Sequence, residues 1–320
     1  MLFQILIPTY NREDYLKKNL THLQEQLFTS DLANEFAIIV SDNASSDGTW
    51  PMLNELKKAW DGKIQLEILR NETNEGLEQN SVNLLKSATA EYIIWLGDDD
   101  FLADGYLKFM HEKLVKGNLG WIVPGMLGVD KNGNKLDPRP AAFYDKEFEP
   151  GFETMWELSH LGHQLSGLVL KREGLLESYL SNPQWRNPYL FLYFVADCQL
   201  RYPGIYAPGV KNLVNIHNSK FWSYNEVWLI DEVFKCYYYF IQTLGQKKVN
   251  SLLLRFIVMH SYRIDFTKGL RIVLKQWRII ISKAPEAKEL RFPLLFLLVK
   301  EYTSRKLNWN GREISPSSTA

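Results

Sequence analysis

The feature that most constrains this chain is an alternation of two periodicities over its first 115 residues. Short apolar runs read as buried strands: "LFQILI" from Leu2, "FAIIVS" from Phe36, "IQLEIL" from Ile64 and "YIIWL" from Tyr92. Between them the spacing turns helical. Leu16, Leu20, Leu23 and Leu27 share one face, Leu53, Leu56 and Trp60 share another, and "EQNSVNLLKSAT" supplies a third helix. Asn11 is placed to cap the first helix, with Asp14 three residues on, and Ser46 or Asp47 opens the second. Strand and helix alternating at this spacing predict an α/β fold, a mostly parallel sheet with covering helices. Ligands bind such sheets beyond the carboxyl ends of the strands. The polar clusters fall at those ends: "PTYNR", "DNASSDGT", "NETNEGLEQN" and "GDDD".

The last cluster is the sharpest. Asp98, Asp99 and Asp100 concentrate negative charge where a strand leaves the core, and uncompensated carboxylates this close repel. A hard divalent cation relieves that repulsion, and oxygen ligands suit Mg2+ or Mn2+. The plainer alternative is a solvated acidic turn, with Asp104 capping the helix that follows. At the second strand's end, Asp42 could accept a hydrogen bond from a base N–H, whereas Asp47 suits a helix cap. Asn74 and Gly76 sit in a tight turn, with Asn80 on the next helix; turn chemistry alone is the other reading of that loop.

Together "IPTYNR", "VSDNASSDGT", "NEGLEQN" and "YIIWLGDDDFLADGYL" resemble the nucleotide-binding half of the family 2 glycosyltransferases, which adopt the GT-A fold. The resemblance covers roughly residues 3 to 115. It implies an enzyme that moves a sugar from a nucleotide-sugar, a UDP-sugar by expectation, to a hydroxyl of a glycan or lipid-linked acceptor in bacterial surface polysaccharide synthesis. It also implies inversion at the anomeric carbon and dependence on Mn2+ or Mg2+. By the same resemblance, Pro8, Thr9 and Tyr10 end the first strand against the nucleobase and Arg12 lies near it. Asp42 reads the base edge, and Asn74, Gly76 and Asn80 border the donor. Where the family shows Asp-x-Asp-Asp, this chain has Gly97 at the first position. Asp99 then takes the metal-ligand place, Asp98 follows as ligand or ribose contact, and Asp100 is third.

The chain departs from the family in its acceptor half. An acidic pair is expected near Asn187 to Leu190, and the sequence reads "RNPYLF". His163 and Asp197 are the candidate general bases, with a structural histidine as the alternative for the first. His217 lies in a late polar loop and suits a contact to metal or diphosphate; a solvated loop histidine is the other reading. Lys220 could offset phosphate charge and Trp222 could cover the donor.

Past Gly125 the pattern weakens. "GVDKNGNKLDPRP" carries an Asn-Gly turn signal, "LSGLVLKREGLLESYL" reads as strand then helix, "NPYLFLYFVADCQLRY" as a buried helix, and "IYAPG" with "KNLVNIH" as strand-like. From about Tyr224 the spacing is helical. The expected organisation is a GT-A domain over 1–223, nucleotide-sugar binding in 1–115 and acceptor binding in 116–223, then a helical region over 224–320. That region holds a basic, aromatic, amphipathic stretch, Leu252 to Lys283, suited to peripheral contact with an anionic membrane or to a homo-oligomer interface. An ordinary packing layer is the alternative.

Composition bounds the rest. Thirty-seven basic residues balance 37 acidic ones, so total charge points to no partner class, and no nucleic-acid partner is expected. Two cysteines suggest a reducing compartment. "MLFQILIPTY" does not read as a secretory leader, and the run Pro293 to Val299 is too short to span a bilayer, so the expected location is cytoplasmic, peripheral at the inner face of the membrane. A sugar nucleotidyltransferase would show a glycine-rich loop after the first strand, and a dehydrogenase a G-x-G-x-x-G; neither is present. A non-catalytic nucleotide- or glycan-binding protein stays open because the acidic pair is missing.

Overall fold

The computed structural model describes residues 2–129, 145–215, 228–283 and 285–312. They fall into two compact units, Met1–Phe221 and Trp222–Ala320. In the first unit the chain runs β1 (Phe3–Thr9), α1 (Glu13–Thr29), β2 (Phe36–Asp42), α2 (Thr49–Ala59), β3 (Gln65–Arg70), α3 (Gly76–Ser87), β4 (Tyr92–Trp95), α4 (Tyr106–Leu114) and β5 (Trp121–Val129). It continues through β6 (Lys146–Phe148), α5 (Phe152–Leu158), a 3-10 turn (Ser159–His163), β7 (Leu168–Lys171), α6 (Leu175–Leu180), α7 (Leu190–Arg201) and β8 (Gly204–Asn215).

One sheet carries all eight strands in the order β3-β2-β1-β4-β7-β5-β8-β6. The four early strands are parallel, β7 runs antiparallel to both β4 and β5, β5 and β8 are parallel, and β6 closes the edge antiparallel. The apolar face of α1, with Leu16, Leu20, Leu23 and Leu27, packs with Ile5, Ile38 and Ile94 of the sheet in one core.

Two local expectations change. The first strand does not stop before its proline but continues to Thr9. Even-numbered residues of β1 face β4, as the bond from Leu96 N to the Leu6 carbonyl shows, and β4 pairs β1 only as far as Leu6. Pro8 therefore lies where no partner asks for its missing N–H. Asn11 does not cap α1 either. It adopts φ 53°, receives a hydrogen bond from Ser46 N at 2.8 Å and donates its own N–H to Ser45 Oγ at 2.8 Å. The opening amides of α1 are met instead from the loop before α2: Arg12 N bonds Thr49 Oγ1 and Glu13 N bonds Asp47 Oδ2. The loop before α2 thus caps α1 as well as its own helix, where Asp47 Oδ1 accepts Thr49 N at 3.0 Å, and this ties the ends of β1 and β2 together.

The second unit is helical: α8 (Trp228–Tyr238), α9 (Ile241–Leu244), α10 (Gln246–Met259), α11 (Leu270–Lys283) and α12 (Arg291–Arg312). It has a core of its own in which Ile257, Val273, Ile280, Leu294 and Leu298 meet. No helix among the described residues is long and apolar enough to cross a membrane.

Candidate active site

The parallel strands β1, β2, β3 and β4 point their carboxyl ends the same way, so the four polar clusters gather at one end of the sheet. Their side chains are stitched to one another. Thr9 Oγ1 donates to Asp98 Oδ2 at 2.8 Å, and both residues are buried. Asn43 Nδ2 donates to Asn74 Oδ1 at 2.7 Å, while Asn43 Oδ1 accepts from Asn71 Nδ2 and from Glu75 N. Asn74 Oδ1 also receives Gly76 N, where φ of 82° allows the turn into α3.

Asp98 is the electrostatic centre. Burial first, then the neighbouring Asp99 carboxylate, push its pKa up to about 8 against the opposing pull of Thr9 and Arg12. A carboxylate so penalised for being charged is one that a cation would stabilise. Asp99 beside it is half-buried and the more accessible of the pair. Two carboxylates fit a hard divalent ion that takes its remaining oxygens from phosphate and water. Among the described residues no group of three or more His, Cys, Asp or Glu side chains is placed to hold a metal ion.

Asp100 departs from the expectation of a third ligand. Its Oδ1 accepts Asn215 N at 2.9 Å and its Oδ2 accepts Ser166 Oγ, so it braces the acid loop against β8 and the approach to β7. Ser166 Oγ also receives Gly97 N at 3.0 Å. A Cβ at position 97 would stand 3.0 Å from Asp100 Oδ2 and 3.1 Å from Ser166 Oγ, so any side chain there would press on both braces of the loop. Asn19, missed in the sequence reading, holds the same loop by donating to the carbonyls of Gly97 and Asp100. Its signal was a polar residue set within the apolar stripe of α1.

The other candidates divide. Pro8 is buried in β1, and Tyr10, half-buried, follows its end. Arg12 is 5 % exposed, its guanidinium 5.5 Å from the Tyr15 ring centre and acting on Asp98. Asp42 turns inward: its Oδ1 accepts Ser45 N, its Oδ2 lies 3.4 Å from Arg70 Nε, and the residue is fully buried. Oδ1 thus orders the second loop, while Oδ2 is buried with no hydrogen-bond donor among the described residues. Asn80 is likewise buried, donating to the Ser41 carbonyl and accepting from Ser41 Oγ and Asn71 Nδ2, so it ties α3 to β2. His217, Lys220, Trp222 and the Asn-Gly segment from Gly128 lie at or beyond the limits of the described residues, which exclude 130–144 and 216–227.

The two candidate bases separate by position. Gly167 N bonds the Trp95 carbonyl, so the segment that carries His163 enters β7 beside the acid loop. His163 Nδ1 lies 2.9 Å from the His160 carbonyl; a carbonyl only accepts, so Nδ1 carries the proton and Nε2 is the basic nitrogen. Asp197 is not brought to the site. It pairs with Arg201, whose Nη1 donates to the Glu173 carbonyl just past β7. Since β7 is antiparallel to β4, with Lys171 opposite Tyr92, that end of β7 lies at the start of the parallel strands. Where the acidic pair was sought, Asn187 Nδ2 bonds the Trp185 carbonyl and Oδ1 receives Tyr189 N. Arg186 there grips Glu78 of α3 at 2.8 and 2.9 Å, joining the loop before α7 to the first turn of α3.

The family model for glycosyl transferase family 2 matches residues 4–169, just over half of the chain. The chain belongs to glycosyl transferase family 2. Relatives include a Campylobacter jejuni GalNAc(5)-diNAcBac-PP-undecaprenol beta-1,3-glucosyltransferase, 33% identical over 41% of this chain and 39% of the relative. The abequosyltransferase RfbV of Salmonella typhimurium is 34% identical over 36% of this chain and 33% of that protein. The matches thus span well under half the length of these relatives. Among solved structures, Staphylococcus aureus TarS 1-349 in complex with UDP-GlcNAc aligns with TM-score 0.64 and 17% identity over 95% of this chain and 89% of that one. A Pyrobaculum calidifontis mannosyltransferase in complex with GDP-Man and Mn2+ aligns with TM-score 0.56 and 15% identity over 94% and 79%. These likenesses establish the α/β GT-A fold.

Proposed function

We propose that the protein is an inverting, metal-dependent glycosyltransferase that takes a UDP-sugar as donor and a hydroxyl of a glycan or lipid-linked saccharide as acceptor in the synthesis of a bacterial surface polysaccharide. The observation that carries this reading is the Thr9–Asp98 hydrogen bond, which sets the end of the first strand directly against the acid loop. A donor spanning the two would meet Tyr10 and Arg12 at its base end and Asp98 and Asp99 at its diphosphate end. The TarS complex with UDP-GlcNAc supports the choice of donor, and the undecaprenol-linked acceptor in the name of the Campylobacter relative supports the choice of acceptor.

In this reading Asp99, then Asp98, would hold Mn2+ or Mg2+, the ion found with the Pyrobaculum enzyme being Mn2+. When bound, such an ion offsets the charge that grows on the departing nucleoside diphosphate. The chain's own groups do the rest. Asn74 and Gly76 shape the turn bordering the donor, and Arg12 adds positive potential near Asp98. His163 would accept the proton of the attacking hydroxyl at Nε2, which the Nδ1-protonated tautomer leaves basic; Nε2 is buried in this structure, so the acceptor would have to uncover it. The replacement of the acidic pair by Asn187 favours a second reading, donor binding without turnover.

The test incubates the purified protein with UDP-GlcNAc, UDP-glucose and UDP-galactose plus Mn2+ and follows UDP release. Slow donor hydrolysis is expected, falling at least about 100-fold in Asp99→Asn, since losing a charge-stabilising contact to the leaving group costs that order. Equal rates in wild type and Asp99→Asn would overturn the reading; donor binding with no release would select the non-catalytic one.

A further inference from the structure

Helix α12 has two distinct faces. Leu294 and Leu298 point into the core of the second unit and are fully buried. Phe292 and Phe296, also one turn apart, are 81% and 73% exposed. Lys300, Thr303 and Leu307 continue the outward stripe at helical spacing, with Leu307 72% exposed. The stripe runs about 22 Å along the helix. Glu301, the one acid between Arg291 and Leu307, faces away, accepting from Ser261 Oγ at 3.0 Å.

Helix α11 packs beside it, with Trp277 Nε1 bonded to the Arg291 carbonyl at 2.7 Å. Its outward side carries Leu270, Arg271, Leu274, Lys275 and Arg278, all exposed, and its sequence contains no acid. The whole second unit holds sixteen lysines and arginines against eight aspartates and glutamates, so the first unit is acidic by the same margin.

We propose that the outward faces of α11 and α12 form a docking surface for an anionic lipid bilayer. Exposed phenylalanines on a helix face with no outward acid from Arg291 to Leu307, beside an α11 that has none, match the boundary between headgroups and acyl chains; Glu289, exposed just before α12, is the acid at its edge. The aromatic rings enter that boundary while the cations engage phosphate groups, their stems lying along the apolar surface. Self-association suits this face less well, because a two-fold pairing would set the basic patch of Arg271, Lys275 and Arg278 against the same patch of the second copy. The docking would bring the protein to the membrane that holds a lipid-linked acceptor. It rests only on the faces of these two helices, so it stands or falls apart from the transfer reaction.

The test sediments the full-length protein, without nucleotide-sugar, with phosphatidylcholine vesicles and with phosphatidylcholine–phosphatidylglycerol vesicles. Binding to the second set alone is expected. Phe292→Ser/Phe296→Ser should lose most of it, and Lys275→Glu/Arg278→Glu should weaken it roughly fivefold for each basic charge removed. Both variants alter exposed positions, so an unchanged thermal midpoint confirms that they are folded. No binding to either vesicle, or full binding by both variants, overturns the proposal. So does a dimer in light scattering that Phe292→Ser/Phe296→Ser dissociates while no vesicle is bound, which would make this face a self-interface.

Discussion

At the scale of single residues, the site is governed by how much charge is held in a small volume. Asp98 keeps its proton up to about pH 8 in the folded chain, while an unfolded aspartate releases it near pH 4. Between those values the folded state binds the extra proton, so this residue lowers stability as pH rises through the window. Asp98→Asn in metal-free buffer is therefore expected to raise stability at pH 8 by about 1–3 kcal/mol, below the full linkage limit because local rearrangement lets water reach the ionised carboxylate. The gain should vanish toward pH 4. Thermal unfolding at both pH values, with and without Mn2+, measures this; the ion should stabilise wild type at pH 8 and leave Asp98→Asn nearly unchanged. The sequence displayed these acids but not their division of labour. Asp100 faces inward to Ser166 and Asn215, which come from segments far along the chain, and no local pattern announces such a partnership.

At the scale of elements, β1 to β4 were legible because each apolar run is followed by a helix whose buried stripe repeats at helical spacing. Of the later strands, β7 and β8 were legible as strand-like runs, whereas β5 and β6 were not, and neither were the pairings of any of them. β5 contains Pro124 and Gly125 at a register shift against β8, and β7 is only four residues long, inserted antiparallel between β4 and β5. Such pairings depend on distant segments rather than on local period. Asp197 failed as a candidate for a related reason: a helical period fixes a residue's face, but the direction of α7 across the sheet decides which end it reaches. Asp47 caps α2 at Thr49 N as its position predicts, but its second bond, to Glu13 N of α1, was hidden because it joins two loops 34 residues apart. Asp47→Ala should consequently cost about 1–2 kcal/mol, as a cap is worth, and should loosen the loops after both β1 and β2. Urea unfolding gives the first quantity and amide exchange at residues 10–13 and 44–49 the second. A loss confined to α2 would show that the bond to Glu13 contributes nothing.

At the scale of the whole molecule, every residue placed in the donor site belongs to the first unit, while the second has a separate core. Ligand binding should therefore be registered unevenly. A ligand that binds only the folded state stabilises it by about 2.7 kcal/mol at a hundredfold excess over Kd. UDP and Mn2+ together should raise the unfolding midpoint more than either alone, because the carboxylates and the diphosphate repel without the ion. The same mixture should slow amide exchange in residues 9–12, 71–80 and 97–103, with α10 unaffected. A depression of roughly 370 Å3, lined by Lys57, Lys63 and Gln65, provides the contrasting location. It lies where β3 begins, at the opposite end of the sheet from the acid loop. Protection appearing there, with the strand-end loops unchanged, would place nucleotide binding outside the cluster formed by Thr9, Asp98 and Asp99 and would remove the physical basis for assigning them to the donor.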